Sequence, residues 1–330
     1  MNKAVLQFAG FALGALGLLL TPALVAAEGK TRVKAKTQAT AKTRVTVNYP
    51  AKSAGRTARP QVAIRTYHHA EPVIGDSPNL KSSAALVVDL DDGRTIYGKN
   101  TQNKTPIASI TKLMTSMVVL DANLPPEETI YIDAADYDSL KHTGSRLGMG
   151  TGLPRREMLR LALMSSENRA AASLGRAYPG GTAAFVAAMN RKAVELSMFN
   201  THFVDPTGLS SENVSTAEDL VKMVKGAYEY PLIREFTTQS MHEVETAAGR
   251  NLQFRNSNGL VRAVNSTWDI GLSKTGYISE AGRCLVMQAK IAARPVIIVL
   301  LDSWGKQTRI GDANRIKKWL ETKVERKPVG

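Results

Sequence analysis

The sequence holds a single cysteine, Cys284, in 330 residues. No disulfide can close within the chain, and no multi-cysteine zinc site can form. The five histidines are scattered without an H-E-x-x-H run, and the adjacent His68 and His69 have no further ligand near them in sequence, so metal chemistry is not expected. Acidic residues are too few for neutrality, 29 against 43 lysines and arginines, and the formal charge is +14. The deficit is local: between Glu28 and Thr66 ten basic residues face Glu28 as the lone acid. A nucleic-acid role would rest on that segment alone, and the segment lacks the interleaved aromatics that stack on bases. What remains is ordinary: 43% hydrophobic and 22% charged residues exclude a wholly disordered, collagen-like or polytopic membrane protein.

Residues 1–27 read as an export signal. Lys3 gives a positive start, Phe11 to Leu20 is apolar, and Val25-Ala26-Ala27 supplies small residues before a cut at Glu28. The alternative is an uncleaved anchor, since Ala4 to Ala27 could nearly span a bilayer; either way the rest of the chain leaves the cytoplasm. Residues 28–78 are rich in Lys, Arg, Thr, Ala and Pro and carry too little apolar surface to offset ordering, so they read as a basic flexible tether. The tether could hold the protein on an anionic wall or membrane surface, or act as a plain spacer.

Folded-domain patterning starts after residue 78. Ala85 to Asp89, the turn Asp91-Asp92-Gly93 and Arg94 to Tyr97 predict a hairpin. Helices are predicted from Ser109 through Leu120, over Arg156 to Met164, Asn168 to Ala177, Ala183 to Leu196 and Ala217 to Ala227. Leu272 to Tyr277, Cys284 to Ile291 and Val296 to Leu301 are strand material, and Ala313 to Thr322 a closing helix. Strands at both ends around a helical middle predict an α/β (α+β) domain over 79–330, with a helical lobe of about 110–230 inserted into a sheet lobe. The cleft between lobes is the natural place for a site.

Three short motifs could carry chemistry. Ser109-Ile110-Thr111-Lys112 places a serine and a lysine on one helix face, a nucleophile with a base that works if its pKa is depressed. Ser303-Trp304-Gly305-Lys306 has the same spacing but reads as a turn. S-x-N occurs at Ser77-Asn79, Ser166-Asn168 and Ser211-Asn213; the middle copy, in a polar break between two lobe helices, is the candidate. Lys274-Thr275-Gly276 lies on a late strand, where its polar groups can read a carboxylate and the glycine lets a backbone approach. Taken singly, each motif fits capping or turn chemistry better.

S-x-x-K, S-x-N and K-T-G in that order resemble the penicillin-recognising serine acyltransferases. Pro106 to Thr115, Leu163 to Ala171, Asp205-Pro206-Thr207-Gly208-Leu209 and Ser215 to Leu220 are similar to D-alanyl-D-alanine endopeptidases of penicillin-binding protein 7/8 type. The resemblance covers about residues 83 to 322. It implies a β-lactamase/transpeptidase-like fold, an antiparallel sheet flanked by helices, in a periplasmic enzyme acting on peptidoglycan peptides without a cofactor and acylated by β-lactams. It implies Ser109 as the acylated nucleophile and Lys112 as its proton acceptor, aided by the charge of Lys274. Ser166 and Lys274 would pass the proton to the leaving amine, Asn168 would hold the peptide, and Lys274 and Thr275 a carboxylate. The backbone N–H groups of Ser109 and Tyr277 would form the oxyanion hole. The stretch after Gly276 leaves no room for the extra C-terminal domain of many carboxypeptidases, which favours the endopeptidase. The E-x-x-L-N run of class A β-lactamases is missing, since Glu195 is followed by Leu-Ser-Met-Phe-Asn. A D-alanyl-D-alanine carboxypeptidase and a non-catalytic wall-peptide binding module are the alternatives.

Overall fold

The computed structural model describes residues 77–325; the expected export signal and nearly all of the tether lie outside the described residues. Five strands form one antiparallel sheet: β1 (Ser82–Asp89), β2 (Thr95–Lys99), β3 (Asp269–Ile278), β4 (Gly282–Ile291) and β5 (Arg294–Ser303). Their order is β2-β1-β5-β4-β3, so the N-terminal hairpin pairs with the last strand and β3 is left at an edge. Between β2 and β3 run α1 (Thr111–Asp121), α2 (Arg155–Met164), α3 (Asn168–Arg176), α4 (Gly181–Glu195), α5 (Ala217–Tyr228) and α6 (Pro231–Thr238). The last helix among the described residues, α7 (Thr308–Glu325), follows β5.

The sheet is buried on both faces, and the strand period sorts its residues between two cores. Ile297, Val299 and Leu301 of β5 join Leu86 and Val88 of β1 in the core shared with α1–α6. Val296, Ile298 and Leu300 turn the other way, onto Ala313, Ile316 and Leu320 of α7. The register supports this, with Leu86 opposite Val299 and Val87 opposite Ile298. The unbroken apolar run Val296 to Leu301 is therefore a strand without a wet face. Asp312 of α7 fixes the start of β1, accepting from the Ser82 amide at 2.7 Å and the Ser82 hydroxyl at 2.6 Å.

Helix α1 is enclosed: every residue from Thr111 to Val119 is buried. The structure differs from expectation at its start, because Ser109 belongs to a separate 3₁₀ turn, Ala108–Ile110, and the α-helix begins at Thr111. Helix α7 begins five residues before the expected Ala313, and its first turn already carries Ile310, which packs on the same core as Ala313 and Ile316. Helix α6, opened by Pro231 at its first turn, and the hairpin Met241–Glu245 with Asn251–Arg255 carried no clear signal; of the residues on its two strands only Val244 and Phe254 are buried. Ser303 and Lys306 flank a turn at Gly305 (φ +81°), and the Ser303 hydroxyl is bonded to Ser82 at 2.7 Å. Cys284 is buried in the sheet, and burial pushes its thiol up to about 11. Among the described residues no helix is long and apolar enough to cross a membrane.

Candidate active site

The 3₁₀ turn sinks Ile107, Ala108 and Ile110 completely, leaving Ser109 as the one partly exposed side chain among them. Ala108 holds φ +48°, a left-handed conformation that a non-glycine residue adopts only under constraint. The constraint is visible: a Cβ on Gly208 (φ +80°) would lie 1.9 Å from the Ala108 carbonyl oxygen, so only glycine lets the two backbones meet. Gly208 ends a loop tied together by Asp205, whose Oδ1 accepts from the amides of Thr207 (2.6 Å) and Gly208 (2.8 Å). Asn213, buried and drawn from the S-x-N copy set aside above, accepts from the Val204 amide and donates to Thr111. That copy is scaffold.

Lys112, fully buried on α1, meets three partners. Its Nζ lies 2.9 Å from Ser109 Oγ, 2.7 Å from Asn168 Oδ1 and 2.7 Å from the Thr207 carbonyl oxygen. Burial lowers its pKa to about 7, while Asp205, Glu167 and Asp138 pull the other way. Desolvation is the main cause. Repulsion between the two lysines registers on the partner: Lys274, also buried, is held well below the ordinary lysine value by burial first, then by Lys112 and Arg309. A neutral amine has two hydrogens and one lone pair. Asn168 Oδ1 and the Thr207 carbonyl can only accept, so the lone pair is left for the Ser109 hydroxyl. The arrangement can deprotonate Ser109.

The break between α2 and α3 supplies the next two residues. Ser166 sits at φ +64°, a left-handed step that stops α2 and lets α3 begin at Asn168. Its hydroxyl receives the Lys274 ammonium or amine at 2.8 Å, while Asn168 Nδ2 donates to Thr143 Oγ1 at 2.9 Å. Lys274 also donates to the Thr275 carbonyl, and Thr275 Oγ1 donates to Ser257 Oγ at 2.7 Å. Ser257 in turn donates its amide to the Met164 carbonyl, so one serine outside the motifs joins the end of α2 to β3.

Gly276 brings the edge strand against the nucleophile's turn. A Cβ there would lie 2.9 Å from Ile107 O and 3.1 Å from Ser109 N. The glycine thus makes room for the chain's own turn, where the sequence suggested room for a ligand backbone. The Ser109 amide and the strand running on to Tyr277 lie side by side, and Tyr277 has its side chain exposed. Arg309 of α7 is partly buried, with Nε and Nη1 lacking a hydrogen-bond partner among the described residues, and burial lowers its pKa. A cavity of about 270 Å³ opens beside Asn168 and Thr207, walled by Asp138, Leu140, Ala172 and Leu209. The structure thus brings Ser109, Lys112, Ser166, Asn168 and Lys274 together, with Thr275, Gly276 and Tyr277 following on the edge strand. Thr207, Thr143, Ser257 and Arg309 were missed; for Thr207 the contact is a backbone carbonyl, which no side-chain pattern reveals.

Residues 71–305 match the family model described as D-alanyl-D-alanine carboxypeptidase. The chain is 49% identical over 247 residues to a D-alanyl-D-alanine endopeptidase of Pseudomonas aeruginosa, covering 74% of this chain and 78% of the relative. It is 46% identical over 265 residues to a D-alanyl-D-alanine endopeptidase of Escherichia coli, covering 80% and 84%. Among solved structures, the Streptomyces K15 DD-transpeptidase is similar with TM-score 0.68 at 27% identity, covering 74% of this chain and 98% of that one. A D-alanyl-D-alanine carboxypeptidase of Mycobacterium tuberculosis gives TM-score 0.66 at 26% identity, covering 76% and 95%.

Proposed function

This chain belongs to the D-alanyl-D-alanine carboxypeptidase family of serine peptidases, and from that premise we propose that it is a peptidoglycan D-alanyl-D-alanine endopeptidase. The observation that carries the reading is the Lys112 amine held between two obligate acceptors with Ser109 as its third neighbour. In acylation the Ser109 hydroxyl gives its proton to Lys112 as its oxygen bonds to the carbonyl carbon of a D-Ala residue. The Ser109 and Tyr277 backbone N–H groups receive the developing oxyanion. As the C–N bond breaks, the leaving amine takes up the proton that Lys112 accepted, relayed by Ser166 and Lys274, which are already hydrogen-bonded. Water then hydrolyses the Ser109 ester. A β-lactam enters by the same attack, its ring amide taking the place of the peptide bond.

Lys274 and Thr275 fit a substrate carboxylate. The cavity beside Asn168 fits part of the peptide. Cleavage of cross-links is favoured because the more similar relatives carry the endopeptidase name. Carboxypeptidase action is the second reading, since the family description names it. Residues 79–330 form the peptidase domain in this account, with 1–27 as a cleaved signal to the periplasm and 28–78 as the basic tether.

Purified protein given cross-linked muropeptide dimers and, separately, monomeric pentapeptides decides between the readings by product mass. Dimers converted to monomers with pentapeptides left intact is the expected result. Loss of one D-Ala from pentapeptides alone would make the chain a carboxypeptidase, and no product from either would favour a binding module.

A further inference from the structure

The Asn168 amide has two chemically opposite ends, and the end that faces Lys112 decides whether the amine donates or accepts there. Nothing within Asn168 makes that choice. It can be traced outward, one obligate role at a time. Asp138 lies in the loop before α2, and its Oδ1 accepts from the Leu140 amide at 2.9 Å and the Lys141 amide at 2.8 Å. Its Oδ2 accepts from the Thr143 amide at 2.8 Å and the Thr143 hydroxyl at 2.7 Å. Burial opposes ionisation of this carboxyl, but the hydrogen bonds from Lys141, Thr143 and Leu140 prevail and hold its pKa below the ordinary value.

An ionised carboxylate only accepts, so the single hydroxyl proton of Thr143 points at Asp138. The Thr143 oxygen then has only lone pairs to offer Asn168, and the amide must turn Nδ2 toward it, at 2.9 Å. Oδ1 is thereby committed to Lys112, at 2.7 Å. With the Thr207 carbonyl as the other acceptor, both hydrogens of the neutral amine are claimed and its lone pair is directed at Ser109.

We propose that Asp138 and Thr143 are positioning residues that lock the Asn168 amide orientation and so aim the Lys112 lone pair at Ser109. The proposal rests on the reading of Ser109 as nucleophile and Lys112 as base. Without the Thr143 hydroxyl the amide is free to turn over. A reversed amide offers Lys112 an N–H, which competes with Ser109 for the lone pair and removes an acceptor that favours the ammonium.

The test is the second-order rate of acylation by a fluorescent penicillin across pH 5 to 9, for the full chain and for Thr143→Val, Thr143→Ser and Asp138→Asn. The groups that bear on Lys112 are Asp205, Glu167 and Asp138, which favour its charged form, and Lys274, which opposes it. Thr143→Val should slow acylation about tenfold to a hundredfold, no more than the lower end of what a general base supplies, since the base is misaimed and not removed. It should also move the acidic limb of the profile to lower pH, because a lost acceptor destabilises the ammonium. Thr143→Ser should restore both the rate and the limb. Asp138→Asn should repeat the direction of Thr143→Val, and it carries the test if that variant does not fold. The proposal is overturned if Thr143→Val acylates like the unsubstituted protein, if it slows without any shift of the limb, or if Thr143→Ser is as impaired. Absence of acylation in the unsubstituted protein would instead remove the underlying reading of Ser109.

Discussion

The Thr207 carbonyl oxygen accepts a 2.7 Å hydrogen bond from Lys112, 95 positions earlier in the chain. One backbone atom of a loop thus takes part in orienting the base on α1. The loop's shape comes from Asp205 and Gly208, so residues with no chemistry of their own decide where that carbonyl stands.

Gly208→Ala tests that dependence. Its Cβ would be driven into the Ala108 carbonyl in a backbone conformation that already disfavours side chains. Acylation should fall on the order of a hundredfold, the loss expected for misplacement by about 1 Å. Gly93→Ala is the control: φ is +73° but nothing among the described residues lies within 4 Å of the added Cβ, so it should cost only about 1–2 kcal/mol of stability and leave acylation unchanged. Equal acylation by the two variants, read with a fluorescent penicillin, would show that the contact is not needed.

Ser109→Ala should abolish covalent labelling by penicillin. The hydroxyl caps no helix end and its bond is to Lys112, so stability should change by no more than about 1 kcal/mol. Intact mass and a denaturant melt check both halves. Retained labelling would reassign the nucleophile.

Asp312 ties β1 to α7 through the Lys81 and Ser82 amides and the Ser82 hydroxyl. Burial raises its pKa, but these bonds and Arg315 outweigh that and leave it below the ordinary value. A depressed carboxyl stabilises the fold above its unfolded pKa and loses that contribution as pH falls. Asp312→Asn should therefore destabilise by about 1–3 kcal/mol near neutral pH, with the difference shrinking in acid. A gap that stays constant down to pH 3 in urea melts would contradict the assignment.

Deleting residues 28–78 should leave cleavage of soluble peptides unchanged and weaken retention on isolated sacculi, most at low salt, where charge is least screened. Equal retention at low salt would make the segment a spacer.

Much of this was legible beforehand. The strands were readable because Val296 to Leu301 and Ala85 to Asp89 keep apolar residues facing two cores. Ser109, Lys112 and Lys274 were readable because they stand in short motifs whose order is informative. Asn213 shows the limit: it occupies the same S-x-N pattern as Asn168 and is buried scaffold, a distinction set by which loop it lies in. Gly276 was legible as a close approach, but not which backbone would approach it. Thr143 and Ser257 were out of reach, since single hydroxyls in polar segments acquire meaning only from partners 25 and 18 positions away.

The most direct test is the rate at which a penicillin acylates Ser109 as a function of pH, with the adduct mapped by peptide mass. Lys112 must be neutral to accept the proton, and its pKa is lowered to about 7. The rate should therefore rise with pH and reach half its plateau near neutrality, with all label on Ser109. A profile that climbs only near the ordinary lysine pKa, about 10.4, or one flat down to pH 5, would contradict a neutral Lys112 as the base.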